Sequence, residues 1–170
     1  RVNLIGEHTD YNEGFVMPLA INYSVWIASS PIPEPEVHLH SIDFNQSIII
    51  PITKSLTKGE GWSEYLKGII SIFNKYKFEL AGWKGVVAGD IPIGAGLSSS
   101  AALGLAIART FGIVSNWDLD STQMARICQT AENQWVGLNC GIMDQMISAS
   151  GQKDHAMLID CRSLKATPIP

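Results

Sequence analysis

Two spacings of apolar residues divide the chain. Short runs that alternate or stay apolar, bounded by Gly, Pro and Asn, predict strands over Val2–Ile5, Val16–Ala28, Val37–Ile42 and Gln46–Ile52. The stretch Pro31 to Pro35 alternates proline with other residues and cannot donate regular ladder bonds, so it reads as a linking loop or a sheet edge. From Trp62 onward Tyr65, Leu66, Ile69, Ile70 and Phe73 follow a helical repeat, predicting an amphipathic helix of about four turns with Lys75 and Lys77 suited to its C-terminal end. Trp83–Ala88 predicts a strand, Gly89 to Gly96 a glycine loop, and Ala101–Phe111 a second helix. A third helix starts at Ser121, with Asp120 and Gln123 forming a capping box and Met124, Ile127, Cys128, Ala131 and Trp135 making its buried stripe. His155–Cys161 predicts a last strand, and no internal repeat is visible.

Composition narrows the class. With 46% hydrophobic and 16% charged residues over 170 positions, the chain has the make-up of a compact protein, read as one domain over 1–170. The longest apolar runs, Phe15–Ile21 and Ala101–Ala108, fall well short of the roughly 18 residues needed to span a bilayer, so no membrane segment is expected. Cys128, Cys140 and Cys161 are odd in number and far apart, which suggests neither a disulfide framework nor a zinc site and fits a reducing cytoplasm. A net charge of −4 without a basic run argues against nucleic acid, and an anionic ligand must then be held by a local device.

One such device is the run Gly94-Ala-Gly-Leu-Ser-Ser-Ser100. Glycines let a backbone approach a ligand closely, while serines at a helix start add hydroxyls to free amides that favour phosphate. Gly94, Gly96, Leu97, Ser98, Ser99 and Ser100 are therefore candidate nucleotide-binding residues. The plainer alternative is a turn followed by serines that merely cap a helix. Neither common nucleotide motif is met, since no lysine follows the second glycine and Ser99 stands where a dinucleotide fingerprint wants glycine.

The first fourteen residues hold a second device. Arg1, Glu7, His8 and Asp10 fall within ten positions, and carboxylates and an imidazole converging from one loop suit a sugar, whose hydroxyls each donate and accept. An Asx-type turn over Thr9 to Asn12 with solvated charges is the alternative.

Together, R-V-N-L-I-G-E-H-T-D-Y-N at the start and G-A-G-L-S-S-S-A-A-L at 94–103 resemble the GHMP kinase superfamily, and the first string is similar to the signature of its galactokinase family. The run from Asn139 to Ser148 is similar to that family's segment carrying a catalytic aspartate, so the resemblance covers essentially the whole chain. It implies ATP-dependent phosphorylation of galactose at the C1 hydroxyl with Mg²⁺. It assigns Asp144 as proton acceptor, with Arg1 beside it offsetting phosphoryl charge. Glu7, His8, Asp10 and the Gly141 backbone would bind sugar, Glu132 and Ser100 would hold Mg²⁺, and Trp62 would lie near adenine. Read locally, Asp144 is equally a helix-end charge, Glu132 a solvated helix carboxylate and Trp62 a core residue. His38 and His40 share a strand face without a third ligand and read as solvated.

The implied fold is α+β: a two-layer GHMP kinase N-terminal domain, similar to the second domain of ribosomal protein S5, with a mixed β-sheet, helices packed on one face, and a left-handed crossover. The chain starts inside a motif without an initiator Met, and galactokinases are about twice as long, with a C-terminal domain closing over sugar and nucleotide. It thus reads as a fragment expected to have little or no activity alone. Two other readings are a related kinase acting on N-acetylgalactosamine or arabinose, and a non-catalytic galactose and ATP sensor.

Overall fold

A computed structural model describes residues 1–92 and 94–170; Ile93, inside the predicted glycine loop, lies outside them. The described residues fold into two β-sheets and four α-helices, the α+β arrangement expected from the sequence. The strands are β1 (Val2–Asn3), β2 (Phe15–Val16), β3 (Pro18–Leu19), β4 (Val25–Ile32), β5 (Glu36–Ser41), β6 (Gln46–Pro51), β7 (Gly82–Gly89), β8 (Ala156–Asp160) and β9 (Lys165–Ile169). The helices are α1 (Ser63–Lys75), α2 (Ser99–Val114), α3 (Ser121–Ala131) and α4 (Met143–Ser150).

The first sheet is antiparallel. β2 and β3 share one register against β8, with Phe15 opposite Asp160, Val16 opposite Ile159 and Leu19 opposite Ala156. They are one strand interrupted at Met17, next to a proline that has no N–H to give the ladder. β1 flanks this strand and β9 flanks β8. The continuous strand predicted over Val16–Ala28 is therefore corrected: the chain leaves the first sheet after Leu19 and enters the second at Val25. Apolar character persists across the break because both strands bury one face, so pattern alone misses the change of sheet.

The second sheet is mixed, in the order β4-β7-β5-β6, with β5 parallel to β7 and the other pairs antiparallel. Pro31 lies in β4 at the sheet edge, one of the two places the sequence allowed it. Period-two alternation sets the faces: Val37 and Leu39 of β5 are buried with Trp83 and Val87 of β7 against α1 and α2, while Trp26, Ile49 and Val86 are exposed. The helices thus cover one face of this sheet.

The predicted capping box opens α3, Gln123 N donating to Asp120 Oδ1 at 2.8 Å and Asp120 N donating to Gln123 Oε1 at 3.2 Å. Its buried stripe packs Met124, Ile127, Cys128 and Ala131 into the main core with Ile69, Phe73, Ile107 and Phe111. A second cluster joins Val16, Met157 and Ile159 of the first sheet to Met143, Met146 and Ile147 of α4. α4 is thereby anchored from below, and its first turn points toward the loops between the sheets. Among the described residues, no helix is long and apolar enough to cross a membrane.

Candidate active site

Asp144 stands in the first turn of α4, where the helix dipole favours a carboxylate. Its oxygens are fixed by three donors: Arg1 Nε to Oδ1 at 2.5 Å, Arg1 Nη2 to Oδ2 at 2.8 Å and Ser98 Oγ to Oδ2 at 2.6 Å. The two-point guanidinium contact sets both distance and plane. Arg1 Nη1 also donates to the Gly96 carbonyl at 2.8 Å. The N-terminal motif, the glycine loop and the start of α4, far apart in sequence, meet on one carboxylate.

The glycine loop owes its shape to backbone chirality. Gly94 and Gly96 have φ of +77° and +68°, and a Cβ built on either meets nothing within 4 Å. Conformation requires glycine there, and the space beside the loop stays open. Ser98 also has positive φ and precedes α2, yet its side chain makes no capping bond because it donates to Asp144. The plain capping alternative fails for Ser98. Ser99 and Ser100 form the first turn of α2, whose amides have no partner in the helix.

Ser99 and Ser100 line a cavity of about 210 Å³ with Phe44, Trp62, Tyr65 and Leu103. Trp62 lies just before α1, half-buried, its ring stacked on Phe44 at 6.1 Å with planes 4° apart and its N–H donating to Gln46 Oε1 at 2.8 Å. Trp62 is therefore a cavity wall and packs at the edge of the main core. Phe44 was not singled out by the sequence, since a lone aromatic in a hairpin carries no periodic signal. A larger cavity of about 550 Å³ lies on the other side of α2 along Ala102, Leu105 and Arg109, and of the site residues only Arg1, Leu97 and Ser98 border it.

Glu132 sits where α3 gives way to a π-helical turn, Glu132–Val136, a feature common at functional sites. The turn swings Trp135 toward α1, where its N–H donates to Glu64 Oε2 at 2.9 Å and its Cβ lies against Gly68. Glu64 is itself paired with Lys67 at 2.7 Å. Glu132 is only 4% exposed, so it is no solvated helix carboxylate. Gln145 Nε2 and Cys140 Sγ donate to its Oε2 at 2.8 and 3.1 Å, while Oε1 has no hydrogen-bond partner among the described residues. Burial pushes its carboxyl above the usual range, opposed by Cys140, Ser100 and Gln145; Ser100 stands close enough to favour the charged form without a well-aligned bond.

The N-terminal loop divides its residues between two surroundings. Asp10 turns inward: a Cβ on Gly141 would lie 1.7 Å from Asp10 Oδ2, and Met143 N donates to the same oxygen at 3.4 Å. Only glycine permits that approach, and the carboxylate caps α4 instead of closing an Asx turn. The loop is held by Thr9, whose hydroxyl hydrogen-bonds the carbonyls of Gly6 and Phe15 at 2.8 and 2.7 Å. Glu7 and His8 are exposed; Asn3 Nδ2 donates to Glu7 Oε2 at 3.0 Å and Tyr11 pairs with His8 Nδ1 at 2.6 Å. Arg1, Asp10, Gly141 and Asp144 are thus joined through the start of α4, while Glu7 and His8 make their contacts within their own loop.

His38 bonds Glu36 at 2.5 Å and His40 bonds Ser47 at 2.9 Å. The three cysteines are free thiols, and burial pushes those of Cys140 and Cys161 up to about 12 and about 11. Chemically, the assembly offers an anchored carboxylate, an open loop of amides and hydroxyls, and a buried carboxylate with one free oxygen.

Known proteins share this architecture. The galactokinase galactose-binding signature matches residues 1–31. A galactokinase structure from Lactococcus lactis, complexed with galactose, is 33% identical with a TM-score of 0.94, covering 99% of this chain and 45% of that one. The mevalonate kinase of Methanococcus jannaschii is 22% identical, TM-score 0.79, covering 99% and 53%. A D-glycero-D-manno-heptose 1-phosphate kinase from Bacteriodes thetaiotaomicron is 20% identical, TM-score 0.75, covering 98% and 54%. The chain spans about half the length of these solved structures. The description GHMP kinases N terminal domain matches residues 64–152, more than half of the chain and the stretch that holds α1, the glycine loop, Glu132 and Asp144, and the chain therefore belongs to the GHMP kinase family.

Proposed function

We propose that this chain is the N-terminal half of an enzyme that transfers the γ-phosphoryl group of ATP to the C1 hydroxyl of galactose. The observation that carries the reading is the carboxylate of Asp144, held at both oxygens by Arg1 and Ser98 beside the glycine loop. The galactose-binding signature over residues 1–31 and the Lactococcus lactis galactokinase complexed with galactose support the choice of sugar.

The chain's own residues divide the work. Asp144 takes the C1 hydroxyl proton as that oxygen bonds to the γ-phosphorus and the bond to the β-phosphate oxygen breaks, releasing ADP. Because an ordinary carboxylate is a weak base toward a sugar hydroxyl, the proton moves late. Arg1 orients Asp144 and faces the phosphoryl oxygens, where it offsets charge. Gly94, Gly96, Leu97, Ser98, Ser99 and Ser100 receive the phosphates, and adenine lies in the cavity beside Trp62 and Phe44. Asp10, with the backbone of Gly141, meets sugar hydroxyls, and Glu7 and His8 swing from their loop partners to do the same.

The residues present fit a magnesium ion: Glu132 keeps a buried oxygen without a partner among the described residues and Ser100 stands beside it, the one or two protein oxygens such an ion takes with phosphates and water. Bound there, Mg²⁺ would neutralise phosphate charge. The free thiols fit a reducing cytoplasm as the place of work.

Phosphorus NMR of the full-length protein incubated with Mg·ATP and galactose tests the reading. An anomeric phosphate ester coupled to the sugar C1 proton is the expected product. ATP left intact while galactose binds would overturn it in favour of a sensor.

A further inference from the structure

Glu132 is held in an unsymmetrical way. Both donors that reach it converge on Oε2, the Gln145 amide at 2.8 Å and the Cys140 thiol at 3.1 Å, and Oε1 is left without a hydrogen-bond partner among the described residues. A carboxylate with two equivalent oxygens can turn about its last bond; two donors on one oxygen stop that rotation and aim the other. Gln145 is fully buried and its own Oε1 has no partner among the described residues, so the bonds of its amide nitrogen, to Glu132 and at 3.7 Å to Cys140, are what the polar group achieves there. An amide turned the other way would set oxygen against carboxylate. A purely structural core position would be better filled by an apolar side chain of the same length.

The clamp has supports of its own. Asn133, the residue after Glu132, accepts from Cys140 N at 2.8 Å and donates to Cys140 O at 3.2 Å, holding the Cys140 backbone over the π-helical turn, and its Oδ1 lies 3.2 Å from Cys140 Sγ, so the one thiol proton is shared between Asn133 and Glu132. Gln145 follows Asp144 directly on α4, and successive helical side chains diverge by about 100°, so one turn serves both groups. Asp144 faces Arg1 and Ser98, and Gln145 faces inward to Glu132.

Resting on the reading of Glu132 as a cation ligand, we propose that Gln145 and Cys140 are positioning residues that lock Oε2 of Glu132 and present Oε1 to the nucleotide-bound divalent ion. Neither touches substrate; both act through Glu132. The first turn of α4 then couples the proton acceptor to the metal ligand, so that a shift of this helix moves the two together.

Electron paramagnetic resonance of Mn²⁺ titrated into the full-length protein with a non-hydrolysable ATP analogue tests this without turnover. Gln145→Met keeps volume and removes the donor. It is expected to weaken Mn²⁺ binding 10- to 100-fold, the usual range for a residue behind a metal ligand, with galactose affinity unchanged. Cys140→Ser, which keeps a donor, should bind Mn²⁺ within about twofold of the parent, and Cys140→Ala severalfold more weakly. Parent-like Mn²⁺ affinity in a folded Gln145→Met protein overturns the clamp. If that variant fails to fold, equal Mn²⁺ affinity in Cys140→Ala and Cys140→Ser overturns it instead. A parent protein that binds no Mn²⁺ with the analogue overturns the reading of Glu132 itself, an outcome distinct from loss of the clamp alone.

Discussion

At the scale of single residues, position in the chain says little about which carboxylates work and surroundings say much. Asp144 and Glu132 both look ordinary in sequence, one at a helix start and one beside an apolar stripe, and either would pass for a surface charge. The fold gives Asp144 three donors and buries Glu132 with one oxygen free. Replacing Asp144 by Asn keeps shape but removes the proton acceptor, and kcat is expected to fall by about 10²–10⁴ while galactose still binds, as steady-state kinetics with calorimetry would report. Glu132→Gln carries a sign that can be worked out. Burial raises the folded-state pKa of Glu132, so its contribution to stability is present below the unfolded value of about 4.3 and is lost as pH rises through the raised one. In the metal-free protein Glu132→Gln should therefore be the more stable near neutrality, a gain that disappears in acid; thermal melts at several pH values check it.

At the scale of elements, three short turns build the site. The glycine loop was legible from its residues, because consecutive Gly and Ser before a run of helix formers leave few other conformations. Its use of Ser98 was not, since the partner Asp144 is distant in sequence. The π-helical turn after α3 was hidden as well: a helical stripe continues smoothly to Trp135, and the slip of register appears in the backbone bond from Gly137 N to Glu132 O at 2.7 Å, which sends the Trp135 indole to Glu64. Trp135→Phe keeps the packing and leaves a buried Glu64 oxygen short of a donor, and should cost about 1–3 kcal/mol in chemical denaturation. Gly141→Ala would thrust a methyl group into the Asp10 carboxylate, and weaker galactose binding is expected to exceed any change in ATP-analogue binding when both are measured by calorimetry. The short β9 also escaped the pattern, its five residues including Pro168 and little alternation to mark a strand.

At the scale of the whole molecule, the amphipathic helix α1, the capped α3 and most strands of the mixed sheet followed from periodicity, since each buries one face. The division into two sheets did not, because apolar residues run on past Leu19, where the chain leaves the first sheet, to Val25, where it enters the second. The site lies where the two sheets and the start of α4 meet, and the chain covers about half of the length of its solved relatives. Residues 1–170 tested by themselves are accordingly expected to show little or no turnover, and robust ADP production by that piece would count against the need for a second half. The central claim, phosphoryl transfer to galactose with Asp144 as base, is most directly tested by ADP release from the full-length protein with Mg·ATP, offered galactose, N-acetylgalactosamine and arabinose in turn, beside the Asp144→Asn variant. Turnover greatest on galactose that collapses in the variant is the predicted result; turnover unchanged by the substitution, or none on any of the three sugars, would contradict it.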